Sequence, residues 1–434
     1  MGKHNTNRHR SACRIALPAA TAAVLLGLSA PIAAADESAD SNPAPAAADK
    51  PGVAIRDAVN AALTGNAGFR GADNTGSGRN TVAGGSRGIN LFGIGNRNTT
   101  IANNTVGGGD NAGTNVTIAG NDNRVSGLSF VNGNNSTGHN LALIGNGNYQ
   151  AAQNNLSGNN IRGINIGIVG DRNITNPAAT IIQGNNDRGA NIAILGDDNS
   201  YSGRNTILGN NSVSSNVAAA GNGNVESGNS DVWGNDNRGL NLVGLGDNNR
   251  LSGHNSVNGD GNRGSNVALL GSRNQGFTGS NRIIGDGNWG SNFAVAGNDN
   301  IGQSASNTIV GDNSRGLNLT LIGNGNNSSG QNLVDTSNGT GLNVALIGNG
   351  NSGSGRNQQS AEGATANIAL IGNGTSNSGN NRGALNITLI GDGVETAGNN
   401  DGGGINIAIL PRSNTGNCSS SACASIFGIA LFGG

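Results

Sequence analysis

The sequence predicts an all-β chain: a single β-solenoid of about fourteen rungs of ~25 residues, each rung a strand, a turn, a strand and a turn. Three observations predict it. An asparagine recurs at Asn90, Asn115, Asn140, Asn165, Asn191, Asn216, Asn241, Asn266, Asn292, Asn318, Asn343, Asn367, Asn386 and Asn406, at spacings of 25, 25, 25, 26, 25, 25, 25, 26, 26, 25, 24, 19 and 20. Five residues after each of the first thirteen stands a glycine, from Gly95 to Gly391. Apolar residues hold their register between these marks. A disordered glycine–asparagine linker has no reason to keep Leu, Ile and Val in phase over so many units.

The first 35 residues read as a secretory signal peptide. Lys3, Arg8, Arg10 and Arg14 form a basic start, Ile15 to Ala30 an apolar stretch, and Ala33-Ala34-Ala35 a cleavage site. The apolar run contains Pro18 and falls short of the ~20 residues a membrane helix needs. Residues 36–65 divide into an Ala/Asp/Ser/Pro-rich spacer and a short helix with Ile55, Val59 and Leu63 on one face, suited to covering the end of the array. The solenoid array spans 66–410, and 411–434 is a separate terminal segment.

Within a unit, Asn191-Ile192-Ala193-Ile194-Leu195-Gly196 is representative. Position one past the anchor is always large and apolar (Leu91, Val116, Leu141 and on to Ile407), position two is mostly small, and position three is again aliphatic (Ile118, Leu143, Ile168, Ile194). Alternation in twos marks a strand, and size assigns positions one and three to the core. On that assignment Ile194→Asp disrupts the rod. The following glycine and Asn/Asp run is turn chemistry, read as supplying positive φ. A second, shorter strand reads Asn-x-(Ile/Val)-x-Gly, as in Asn205-Thr206-Ile207-Leu208-Gly209. Stacked rungs put the anchors in a column, where amides bond from rung to rung.

Position four breaks this scheme. It shares a side with the anchor and the small residue, facing away from the assigned core, yet it is Ile, Val or Leu in eleven units, from Ile94 to Leu410, and Ala119, Ala220 and Ala296 in the other three. Two explanations stand. Either position four lies at a bend and turns inward, or one sheet exposes an apolar stripe that marks an interface with another solenoid or a lipid or waxy surface.

Composition excludes several functions. Without the signal, 20 basic residues face 25 acidic ones, which disfavours nucleic acid and anionic lipid as electrostatic partners. His139 and His254 occupy different positions in their units, and the acids are scattered through turns, so no catalytic constellation is expected and the chain is read as a non-enzyme. Asparagine stands where calcium rolls need aspartate, so neither a metal, a cofactor nor a small-molecule substrate is expected. The separation of Cys418 and Cys423 permits one small disulfide. Pro411 replaces the last expected glycine, and the apolar tail from Ile426 to Phe432 is either a strand covering the last rung or a docking strand for a neighbour.

Units of this length, strand–turn–strand in form and rich in Gly and Asn, resemble the curlin repeats of bacterial surface amyloid and the rodlins of surface rodlet layers. The resemblance covers residues 90–410, with Asn in the roles that curlin units give to Ser and Gln. It implies a secreted structural or adhesive protein of the cell surface or outer envelope, self-assembling into fibres or a layer. The alternative is an envelope-associated protein whose apolar face contacts lipid or a membrane partner. The expected partners are therefore further copies of the chain or other envelope components.

Overall fold

The computed structural model describes residues 66–410, except 83–85, 101, 176, 336 and 360–363, together with 423–426 and 429–432. The signal peptide, the spacer and helix of 36–65, Pro411 and the Cys418 side of the disulfide lie outside the described residues. Every element described is a strand, and the strands stack as a β-solenoid. Long strands such as Arg188–Leu195 pair in parallel with the long strands of the rungs before and after. Short strands such as Asn205–Asn210 do the same in a second ladder. An isolated parallel bridge in the intervening turn (Ser200 to Val225, for example) adds a third line of contact.

Register follows the anchors, with one shift, between Gly383 and Leu385 in the final pair of long strands. Asn191 lies opposite Asn165 and Asn216, and so along the array. The column begins one rung earlier than the spacing suggested, because Asn66 pairs with Asn90. The short final spacings also have a cause. In the last two rungs the short and long strands fuse into single strands, Asn381–Ile390 and Asn400–Leu410, and the turn between them is lost. Beyond them, Cys423–Ile426 pairs in parallel with Asn406–Ile409, and Ile429–Phe432 pairs antiparallel with that strand.

The faces of the long strand are the reverse of those assigned from side-chain size. The anchor, position two and position four point inward: Asn191 and Ala193 are fully buried, and Leu195 nearly so. Position three points out, with Ile118, Ile194, Leu269 and Leu321 about two-fifths exposed. Position four is therefore buried because its whole alternate set faces in, and no bend is needed. The reason is the narrowness of the interior. The two sheets lie close enough that the interior admits Asn and Ala beside one column of Val, Ile and Leu from the short strands: Val106, Val131, Leu156, Ile182, Ile207, Val232, Val257, Ile283, Ile309 and Val334, all fully buried.

Anchor amides brace this interior in two directions. Along the axis, Asn115 Nδ2 donates to Asn90 Oδ1 at 2.9 Å and Asn140 Nδ2 to Asn115 Oδ1 at 2.9 Å. The links run again from Asn241 on Asn216 to Asn406 on Asn386. Across the core, Asn115 Nδ2 reaches Thr105 O at 3.0 Å, and Asn104 of the short strand reciprocates to Leu91 O at 3.1 Å. The axial links lapse between Asn140 and Asn216, where the Nδ2 groups of Asn165, Asn191 and Asn216 donate only across the core.

The glycine five past the anchor also has a different origin from the one expected. Its φ is not positive. Positive φ falls two residues later, at Arg97, Asp122, Arg172 and Asp198. Glycine is required because rungs stack closely there: a Cβ on Gly196 would lie 2.1 Å from Asn222 Oδ1.

Candidate functional site

The distinctive feature of the described array is the outer face of the long-strand sheet. Three columns cover that face: the residue before the anchor, position one and position three. Position one is large and apolar in every rung from Leu91 to Ile407 and half-buried in most. Position three adds Ile118, Ile194, Leu269, Leu321 and others. The column before the anchor adds Ile164, Leu240, Leu317 and Ile405, at 44%, 39%, 46% and 54% exposure. Between Val295 and Ile409 the position-three side is a shallow groove lined by Leu321, Leu346, Leu370 and Leu389. The short-strand face differs. Its outward residues mix Thr206, Asp231, Ser256, Asn258 and Arg282 with apolar ones, as an ordinary surface does.

Both long edges of the apolar face are polar. Three residues before the anchor stand Arg162, Arg188, Arg238, Arg263 and Arg315, all exposed. Among the described residues none of these five forms an ion pair; Arg315 lies over the ring of the exposed Trp289, 5.6 Å from its centroid. Arg162 and Arg188 pair in neighbouring rungs, as do Arg238 and Arg263, so like charges sit one strand spacing apart. The opposite edge, six past the anchor, is a ladder of Asn and Asp with Ser272 in one rung. Each accepts a backbone N–H from the rung before, as Asn121 Oδ1 does from Asn96 at 2.7 Å and Asp197 Oδ1 from Asp171 at 2.7 Å. Beside it, Arg97–Asp122, Arg172–Asp198 and Arg273–Asp299 form exposed ion pairs, and in each the guanidinium holds the carboxyl below its usual range.

The predicted ladder asparagines are brought together as one column, but buried, so they form scaffold and not surface. Sequence reasoning missed a second buried column eight past the anchor. There Asn123 N donates to Asn98 Oδ1 at 2.7 Å, and the pattern continues without a break to Thr375 N on Asn351 Oδ1 at 2.7 Å. Its signal was present as a second asparagine with the same period, assigned to turn chemistry alone. The arginine column was likewise readable as Arg-Gly recurring just before the anchor.

His139 is exposed, whereas burial lowers the pKa of His254, whose Nε2 lies 2.6 Å from Glu226 O. Among the described residues no three His, Cys, Asp or Glu side chains are grouped to hold a metal. Two carboxyls of the array are unusual, Asp187 in the interior and Asp231 on the short-strand face. Burial pushes Asp187 up to about 6 and Asp231 up to about 6. Asp187 Oδ1 accepts Ser212 N at 2.8 Å, while its buried Oδ2 has no partner. Comparison with protein-family models, curated proteins and solved structures finds no match for this chain.

Proposed function

We propose that this chain is a structural protein of an extracellular surface, and that it associates laterally through the apolar face of its long-strand sheet. The observation carrying this reading is the continuity of that face. At ~4.8 Å per rung, fourteen rungs extend the position-one apolar column over roughly 65 Å, with apolar residues beside it in most rungs, far beyond the scattered apolar residues of an ordinary monomer surface. Stacked amides hold the face in register. The signal-like N-terminus and the resemblance to curlin and rodlin repeats support an extracellular setting and a coat or fibre role. Exposed Trp289, which stands in the arginine column between Arg263 and Arg315, would also suit an interface with lipid headgroups, which is the second reading.

Electron microscopy of producing cells with and without the chain tests the proposal, together with sizing of the purified mature chain. Loss of a surface layer or of fibres on deletion, and laterally paired or bundled rods in the purified material, are expected. An unchanged surface and a rod that stays single until it enters detergent would overturn it.

A further inference from the structure

We infer that the occupant of the apolar face is a second copy of this chain, paired face to face with both rods pointing the same way and their rungs in register. The inference rests on the lateral-association reading and specifies its geometry. A half-turn about an axis parallel to the stacking direction, lying over the position-one column, sets that column on itself. The residue before each anchor then meets the partner's position three in the same rung. The arginine edge meets the partner's position five, one residue from the Asn/Asp column six past the anchor and within reach of an arginine side chain.

Three features fit this operation. The first is area. Columns three before to three past the anchor span ~20 Å, so the face offers on the order of 1,300 Å² per copy, above the roughly 800 Å² of a standard interface. The second is shape. The column before the anchor stands proud at Leu317 and Ile405, and the position-three side is grooved over those same rungs, along Leu321, Leu346, Leu370, Leu389 and Ile409. One copy's ridge therefore lies over the other's groove. Leu240 similarly meets the partner's Gly244, where a Cβ would touch only the neighbouring Leu269 Cδ2, at 3.1 Å. The fold of the single chain imposes no backbone clash at Gly244, so the gap there is available to a partner.

The third feature is charge. Four acids lie six past an anchor: Asp171, Asp197, Asp247 and Asp392. The first three are in rungs that begin with an arginine, giving the same-rung pairs Arg162/Asp171, Arg188/Asp197 and Arg238/Asp247. Within one chain these pairs stand at opposite edges of the sheet. The half-turn brings each arginine within reach of the other copy's aspartate, twice per pair. In each aspartate Oδ1 is occupied by a backbone N–H, from Asn146, Asp171 and Asn222, which leaves Oδ2 for a guanidinium. The other face-to-face arrangement, a half-turn about the strand direction, sets arginine on arginine and aspartate on aspartate, and like charges so placed disfavour it.

Sedimentation of the mature chain tests this, with three charge-exchanged variants checked for fold by circular dichroism. Wild type is expected to be dimeric or larger, in even steps. R162E/R188E/R238E and D171R/D197R/D247R should each pair on the order of tenfold or more weakly. An equimolar mixture of the two should recover association, because every facing pair is then opposite in sign. The chain carrying all six exchanges should associate like wild type. Association indifferent to either triple exchange would overturn the parallel pairing and leave the lateral-association reading standing. A folded wild-type monomer that floats with phosphatidylglycerol vesicles would overturn both.

Discussion

Ile207 and Ile194 differ little in the sequence, yet the structure puts them on opposite sides of the wall. Ile207 is fully buried, with Ile182 and Val232 opposite it in the adjoining rungs. Ile194 is 40% exposed. Ile207→Ala deletes three buried carbons, worth about 2.5 kcal/mol in transfer at ~0.8 kcal/mol per methylene. The backbone of both sheets walls the site, so the space collapses poorly. A Cβ on Gly189 would already lie 2.6 Å from Ile207 Cδ1. With a cavity contribution the total is about 3–4 kcal/mol. Ile194→Ala should cost less than about 1 kcal/mol, and Ile194→Asp should leave the rod folded, since its carboxylate stays in water. Guanidinium unfolding followed by circular dichroism gives the ranking. Because a repeat array opens locally, amide exchange in Thr180–Asn185 and Ser230–Trp233 should rise for Ile207→Ala and not for Ile194→Asp. Unfolding of Ile194→Asp, or equal costs for the two alanines, would refute this assignment of faces.

The polar interior yields further expectations. Asp187 is pushed up to about 6 from an unfolded value near 4, so the folded state holds the extra proton between those values. The Asp187 contribution to stability is therefore greatest at the acid end and falls as pH rises from about 4 to about 6, adding about 1 kcal/mol on going from pH 7 to 5, against the opposite-signed contribution of His254, whose lowered pKa costs stability as pH falls. Asp187→Asn should flatten part of this dependence in pH-series melts and stabilise at pH 7 by about 1–3 kcal/mol, leaving the same-signed contribution of Asp231. Asn237, in the equivalent place, shows how: its Nδ2 donates to Trp233 O at 3.1 Å and Gly259 O at 2.7 Å. Asn266→Ala removes bonds to Asn241 Oδ1 and Ser256 O and the one accepted from Asn292, and should cost about 2–3 kcal/mol in denaturant melts. Asn165→Ala, where the axial links have lapsed, should cost about half as much. Gly264→Ala puts a Cβ 2.2 Å from Gly290 O and should lower the melting temperature by several degrees, whereas Gly244→Ala should leave it near wild type.

Period, strand order, register and the anchor ladder were all legible in the sequence, because a solenoid repeats its local chemistry at every rung and stacks like on like. The faces were not. Positions one and three carry the larger aliphatics, and size alone assigned them to the core, but position four is apolar too, so both alternate sets of the strand are greasy. What separates them is the neighbour of each set. Asn191, Ala193 and Leu195 share a side, and a small residue beside a hydrogen-bonded amide is what a thin interior accepts. The glycine two before the anchor carried the same message, since Gly138 and Gly163 face Leu156 with no room for a methyl. The glycine at position five was legible as invariant in the unit, but its cause, rung-to-rung crowding, depends on a stacking distance that no single rung shows.

That reversal bears on what the large aliphatics are for. The interior is completed by alanine, asparagine, the short-strand Val/Ile/Leu column and position four, so the monomer's core does not require Ile166, Leu242, Phe293 or Leu319 to be large. Threonine at those sites would keep the strand propensity and the alternation while lowering the apolar exposure. Position one nevertheless is Leu, Val, Ile or Phe in all fourteen rungs from Asn90 to Asn406, and is Ala67 only in the rung before them. Uniformity of that kind, on the side where the fold tolerates polar residues, is what a face covered along its whole length would show. A variant with threonine at Leu242, Phe293 and Leu319 separates the two roles. Its melting temperature should stay within a few degrees of wild type when measured on dilute chains, while its self-association falls by more than tenfold. Loss of folding at equal concentration would mean that the outer columns belong to the monomer after all.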